Sequence, residues 1–197
     1  MIELPAGPFD VVCADPPWNF KANSVAAPGR NARRHYATMS LDDIAALPVK
    51  ERVADNAALF LWITGPFLAI GAHLPIMKAW GFKPSGVAFT WVKLNAKAPT
   101  LFFTRQDLFI GGGLTTRKNA EVCLLGKRGR SLRQSAAVRE VIIDPRREHS
   151  RKPEEFRDRV DQYVGPDARI LELFARSSRP GWTPWGAEAD KYDEVAA

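Results

Sequence analysis

Residues 9–14 (FDVVCA), after Asp10, and 57–63 (AALFLWI) carry apolar side chains at successive positions instead of alternate ones. A strand with one wet face alternates apolar and polar residues, whereas a run without alternation has to be covered on both sides. Residues 86–93 (GVAFTWVK), 121–125 (EVCLL), 140–143 (EVII) and 169–174 (RILELF) read as four further strands. Helical patterns lie between them. Ser40 is placed to cap a short helix with acids in its first turn and Ile44 and Leu47 as its apolar stripe. Residues 66–80 read as a helix stopped at Gly81, with Pro75 as a kink or early end. Pro153 suits the first residue of a helix, and Phe156, Val160, Tyr163 and Val164 line one of its faces. Doubly buried strands alternating with helices predict an α/β fold with a mostly parallel, doubly wound sheet. No repeat, low-complexity tract or linker divides the 197 residues, so one domain over 1–197 is expected, with no separate target-recognition domain.

Several classes of function drop out on the same reading. No run approaches the ~20 apolar residues of a membrane span, and the first residues lack the pattern of a secretion signal. A soluble, cytoplasmic protein is expected. Cys13 and Cys123 both sit inside apolar runs, which suits buried, reduced thiols better than a disulfide. His35, His73 and His149 are scattered and no cysteine pair has ligand spacing, so no metal site is expected. There is no G-x-S-x-G elbow, and Gly111-Gly112-Gly113 is not followed by the Lys-Ser/Thr of a phosphate-binding loop. The formal charge is +6, but the stretch from Arg117 to Lys152 alone sets eleven cations against four acids. Such a stretch is either a solvated basic surface or a contact for a phosphate backbone.

What remains is Asp15-Pro16-Pro17-Trp18, directly after the first strand. Open α/β sheets bind ligands beyond the carboxyl ends of their strands. A carboxylate there can accept hydrogen bonds from an exocyclic amine. Two prolines remove N–H donors and stiffen the turn, leaving carbonyls as further acceptors for the same amine. Trp18 offers a flat face for a base. An amine held by acceptors presents its lone pair to whatever lies opposite, which suits direct attack on an electrophilic methyl group.

With this turn the chain resembles the adenine-N6 methyltransferases that carry a DPPW motif, the family of the eukaryotic mRNA adenosine methyltransferase catalytic subunit and of bacterial and phage relatives. The resemblance continues through HYATMS (35–40), LFLWITGP (59–66), WGF (80–82), TWVK (90–93), TRKNAEVCLLGKRG (116–129), REHSRKPEEF (147–156), ELFAR (172–176) and GWTPWG (181–186), in that order. It implies a Rossmann-like, S-adenosylmethionine-dependent methyltransferase domain, circularly permuted so that the catalytic motif precedes the cofactor motif. On that resemblance Asp15, Pro16, Pro17 and Trp18 are the catalytic set. Asp15 and Pro16 also abut the cofactor, Lys152 meets its amino-acid end, and Glu172, Phe174, Arg176 and Glu188 surround its ribose and adenine. Tyr36, Arg33, Arg34, Arg117, Lys118 and Asn119 would face the nucleic acid.

The chain departs from the family at Ala187, where an Asn is common. It also lacks the zinc fingers of the eukaryotic enzyme, and its short form is similar to the bacterial and phage members. DNA is therefore the expected substrate, with RNA as the alternative and a homodimer or a heterodimer with a related subunit as the expected assembly. A non-catalytic nucleic-acid-binding subunit is the competing reading; the presence of both Asp15 and Lys152 speaks for an active enzyme.

Overall fold

In the computed structural model, which describes residues 3–19, 38–113, 116–148 and 151–193, the strand β2 (Val53–Ile63) separates two cores. Its Ala57, Leu59, Leu61 and Ile63 enter one core, and Ala58, Phe60 and Trp62 enter the other. The two-residue period of a strand makes this division, and the absence of polar residues over 57–63 is what it requires. On the first side pack α1 (Leu41–Ala45), α2 (Gly65–Ala69) and α3 (His73–Ala79), with Ile44, Ile76, Met77 and Trp80 fully buried. On the second side lies α4 (Glu154–Val164), through Phe156, Val160 and Val164.

The remaining strands are β1 (Phe9–Ala14), β3 (Lys83–Leu94), β4 (Ala120–Arg128), β5 (Val141–Pro145), β6 (Ile170–Leu173) and β7 (Trp182–Trp185). The sheet runs β5-β3-β4-β2-β1-β6-β7. Neighbours pair in parallel except β4, which is antiparallel to both β2 and β3. Helices on both faces of a mostly parallel sheet make the fold Rossmann-like, as expected. The permutation is visible in the pairing: the first strand, β1, lies beside the late strand β6, with Ala14 opposite Leu173.

The local expectations hold at most ends and shift at a few. Ser40 caps α1 by accepting the Asp43 N–H at 3.1 Å. The helix read over 66–80 is two helices, and the break is at Gly71, whose φ of 69° an L side chain resists. Pro75 does not break it, because it sits in the first turn of α3, where an N–H has no intrahelical acceptor anyway. Pro153 is the extended cap before α4 and not its first residue. β7 adds a strand beyond those expected; its Pro184 is tolerated because β7 is the edge of the sheet. Cys13 and Cys123 are free and buried, and burial pushes both thiols well above the usual range, so they are inert core residues. Among the described residues no helix is long and apolar enough to cross a membrane.

Phe60 is the hub of the α4-side core. Its ring stacks on Phe89 at 5.7 Å and meets Phe156 and Tyr163 edge-on at 6.4 and 5.6 Å. Phe60→Ala should therefore cost about 3–5 kcal/mol of unfolding free energy, read from urea denaturation midpoints.

Candidate active site

β1 and β6 end side by side, so Asp15 and Phe174 emerge next to each other at the carboxyl edge of the sheet. β3 ends on that edge and β4 begins there. Three of these ends, those of β1 and β3 and the start of β4, join Lys152 in a chain of alternating charge. Lys152, just before α4, places Nζ 2.5 Å from Asp15 Oδ2 and 3.3 Å from Glu121 Oε2. The other oxygen of Glu121 accepts a short hydrogen bond from Lys93. Lys152 also lies over the Trp62 ring at 5.4 Å, and Lys93 over Trp91 at 4.7 Å.

These groups are mostly shielded from water, so each depends on the others. Burial alone would push the Glu121 carboxyl up, but the Lys152 and Lys93 ammonium groups outweigh it and hold it at about 2. Burial would lower Lys152, but Asp15 and Glu121 outweigh it and raise the ammonium above its usual range. Lys152 is thus a fixed cation at neutral pH and cannot serve as a base. Asp15 and Lys152, which the resemblance assigns to one cofactor site, lie in contact across 137 positions of chain. Glu121 at the start of β4 and Lys93 at the end of β3 belong to the same set.

The turn after Asp15 differs from the expectation in two respects. Pro16 O accepts the Trp18 N–H at 2.8 Å, a three-residue turn centred on Pro17, and Pro17 O accepts the Met39 N–H at 3.0 Å. These carbonyls therefore hold the loop, and only the second lone pair of Pro16 O is left to meet an amine. Trp18 is 4% exposed. Its ring stacks on Phe67 at 5.2 Å and its Nε1–H donates to Trp62 O at 3.1 Å. The flat face expected for a base is occupied by core packing, so Trp18 anchors the turn that carries Asp15.

The second half of the cleft is built on β6. Glu172 was expected at the cofactor ribose, but Arg157 of α4 grips both its oxygens, at 3.2 and 2.8 Å. Arg157 also donates to Ser177 Oγ and Ser177 O, each at 3.1 Å. Burial raises the Glu172 carboxyl in spite of this partner. No motif marks Arg157; only its position on the apolar face of α4 could have drawn notice. Arg176 pairs with Glu188 at 3.1 Å and not with Glu172. Phe174 is held at φ 61°, an uncommon conformation for a non-glycine residue, with its ring edge-on to Trp185 at 5.7 Å. Gly186 permits this, since a Cβ there would lie 3.1 Å from Phe174 Cα.

Asp15, Trp62, Lys152, Glu172, Phe174 and Arg176 line one cleft. The indole N–H of Trp62 is buried and has no hydrogen-bond partner among the described residues. Cations, carboxylates and an aromatic side chain around an unsatisfied donor fit S-adenosylmethionine, which carries a zwitterionic end, hydroxyls and a flat base. Among the described residues no cluster of His, Cys, Asp and Glu could hold a metal ion.

Of the expected nucleic-acid contacts, Arg117 and Lys118 are exposed at the same edge, and Asn119 accepts the Lys93 N–H at 2.8 Å. Arg33, Arg34 and Tyr36 lie outside the described residues, as do His35 and His149. The basic stretch is not one surface. β4 carries the chain from this edge to the opposite one, where Arg128 faces Asp55 at 3.6 Å, and β5 returns to set Arg146 and Arg147 near the site.

Two outcomes follow from the charges. The depressed Glu121 carboxyl adds stability that is complete above about pH 4.5 and disappears as pH falls towards 2, up to about 3 kcal/mol. Glu121→Gln should flatten the fall of unfolding free energy between about pH 5 and about pH 3, measured by urea titration. Arg157→Ala would leave Glu172 buried without its partner and should cost about 3–5 kcal/mol at pH 7, on the same assay.

The sequence model of the MT-A70 family matches residues 9–188. Among curated relatives, the Mycoplasma protein named type II methyltransferase M.MunI is 29% identical over 94% of this chain and 80% of its own length. The N6-methyladenosine RNA methyltransferase MTA1 of Cryphonectria parasitica is 27% identical over 94% of this chain and 53% of its own. The human N(6)-adenine-specific methyltransferase METTL4 is 29% identical over 95% of this chain and 39% of its own. The chain therefore spans about half or less of the fungal and human relatives. On the match across nearly its whole length, the chain belongs to the MT-A70 family of S-adenosylmethionine-dependent adenine-N6 methyltransferases.

Proposed function

We propose that the protein methylates the N6 amine of adenine in nucleic acid, with DNA as the preferred substrate. The observation that carries this is Asp15 beside Lys152 at the carboxyl edge of the sheet, in the cleft that also holds Phe174 and Arg176. When bound, S-adenosylmethionine supplies an electrophilic methyl on a sulfonium. Asp15 accepts hydrogen bonds from the amine and faces the positive charge that grows on nitrogen as the N–C bond forms. The carbonyl of Pro16 is the second acceptor. Lys152 steers the Asp15 carboxylate and pairs with the cofactor's carboxylate end. The methylated amine sheds its proton after transfer, so the fixed cation at Lys152 is no obstacle.

The preference for DNA is supported by the likeness to the type II methyltransferase, four fifths of which the chain spans. Incubation with cofactor and single-stranded DNA, duplex DNA or RNA, followed by nucleoside mass spectrometry, should give N6-methyladenine most rapidly on DNA. Faster turnover on RNA would reverse the preference, and cofactor binding without product on any of the three would refute the activity. Asp15→Ala should lower turnover by about a hundredfold to a thousandfold while the variant still binds nucleic acid.

A further inference from the structure

The loop that follows β3 places a Leu-Phe-Phe run in solvent. Leu101 is 72% exposed, Phe102 97% and Phe103 36%, and Ile110 farther along is 75% exposed. Single exposed apolar residues are ordinary, but an exposed aromatic run is not. Phe102 is also held at φ 60°, in the left-handed region that a bulky side chain avoids. The loop is tied down around it. Asp107 accepts the Thr104 N–H at 2.8 Å and its hydroxyl at 2.9 Å. The Asn95 N–H donates to Asp107 O at 2.8 Å, and the Phe109 N–H donates to Lys93 O at 2.9 Å. The last of these bonds fixes the loop to a strand end whose side chain belongs to the charge chain of the active site.

The segment that carries the run is cationic, and the Gly111 N–H donates to Lys118 O at 3.1 Å, which holds Lys118 against the same loop. Lys97, Arg105, Arg117 and Lys118 are set against Asp107 alone between positions 95 and 119, and Asp107 is engaged in the turn. Aromatic side chains and Arg are common to protein interfaces and nucleic-acid sites, but Lys is depleted at protein interfaces, so Lys97 and Lys118 suit phosphates, with bases stacked on the rings. β3 lies three strands from β1, so the loop starts ~14 Å from the strand that carries Asp15. That is roughly four nucleotides of a strand at ~3.4 Å each.

We propose that residues 101–103 form a stacking platform for a base flanking the target adenine, with Lys97, Arg105, Arg117 and Lys118 on the adjoining phosphates. This rests on the nucleic-acid reading above and adds a second point of grip, which sets the register of the strand across the site. It also gives a domain without a separate recognition module a surface that senses neighbouring nucleotides.

The test uses the full chain, its Phe102→Ala, Phe102→Trp and Arg105→Gln variants, and fluorescein-labelled single-stranded DNA, duplex DNA and RNA containing adenine. Phe102→Ala should bind about tenfold more weakly or worse with an unchanged melting temperature, and Phe102→Trp should restore binding. Arg105→Gln should reduce the slope of log affinity against log salt by about one. 2-Aminopurine placed within about four nucleotides of the target should change fluorescence on binding the wild type and not on binding Phe102→Ala. If the wild type binds and methylates while Phe102→Ala matches it in affinity and turnover, the platform is refuted. If Phe102→Ala instead converts a dimer to a monomer in sedimentation, and activity follows the dimer, the loop is a subunit contact and the proposal falls. A wild type that neither binds nor methylates any of the three defeats the function itself, and this inference with it.

Discussion

The site is organised around one ammonium group. Lys152 lies between Asp15 and Glu121, and Glu121 in turn holds Lys93. Removing these charges from water singly would cost several kcal/mol each, so none of them is stable there without its neighbours. The consequence is structural as well as chemical. Four chain segments far apart in sequence must end at one place for the charges to meet, and the strand order does this. The set also keeps Asp15 beside a cation that does not titrate near neutrality.

A second buried ion pair does a different task. Arg157 joins α4 to β6 and to the Ser177 backbone, and so frames the turn in which Phe174 is strained. Buried pairs add little net stability against apolar replacements, and their value is in geometry. Here the geometry is the wall of the cleft. It also means that Glu172 serves the protein's own framework, while Lys152, Phe174 and Arg176 line the same cleft.

Much of this was legible in the sequence. Doubly apolar strands announced the two-sided sheet, and the acid after the first strand announced the ligand edge. Other features were hidden for definite reasons. WTPW does not look like a strand until it is known to be an edge. Trp18 looked like a stacking face because aromaticity is equally suited to a ligand and to a core, and only burial distinguishes the two. The basic stretch from Arg117 to Lys152 looked like one surface because charge was counted along the chain; β4 runs the length of the sheet and divides it. Phe102 stands among residues 95–118, which follow neither a helical nor a strand period, and composition there does not distinguish an exposed ring from a buried one.

The sequence by itself determined the fold class, the family and the identity of the acid at the end of the first strand, because these depend on local periodicity and on ordered motifs. Only the tertiary structure decided which charges share a partner. Coulomb energy depends on distance through space and on exclusion of water, and neither is written in the order of residues. Glu121 with Lys152, Arg157 with Glu172 and Arg176 with Glu188 are pairings of that kind.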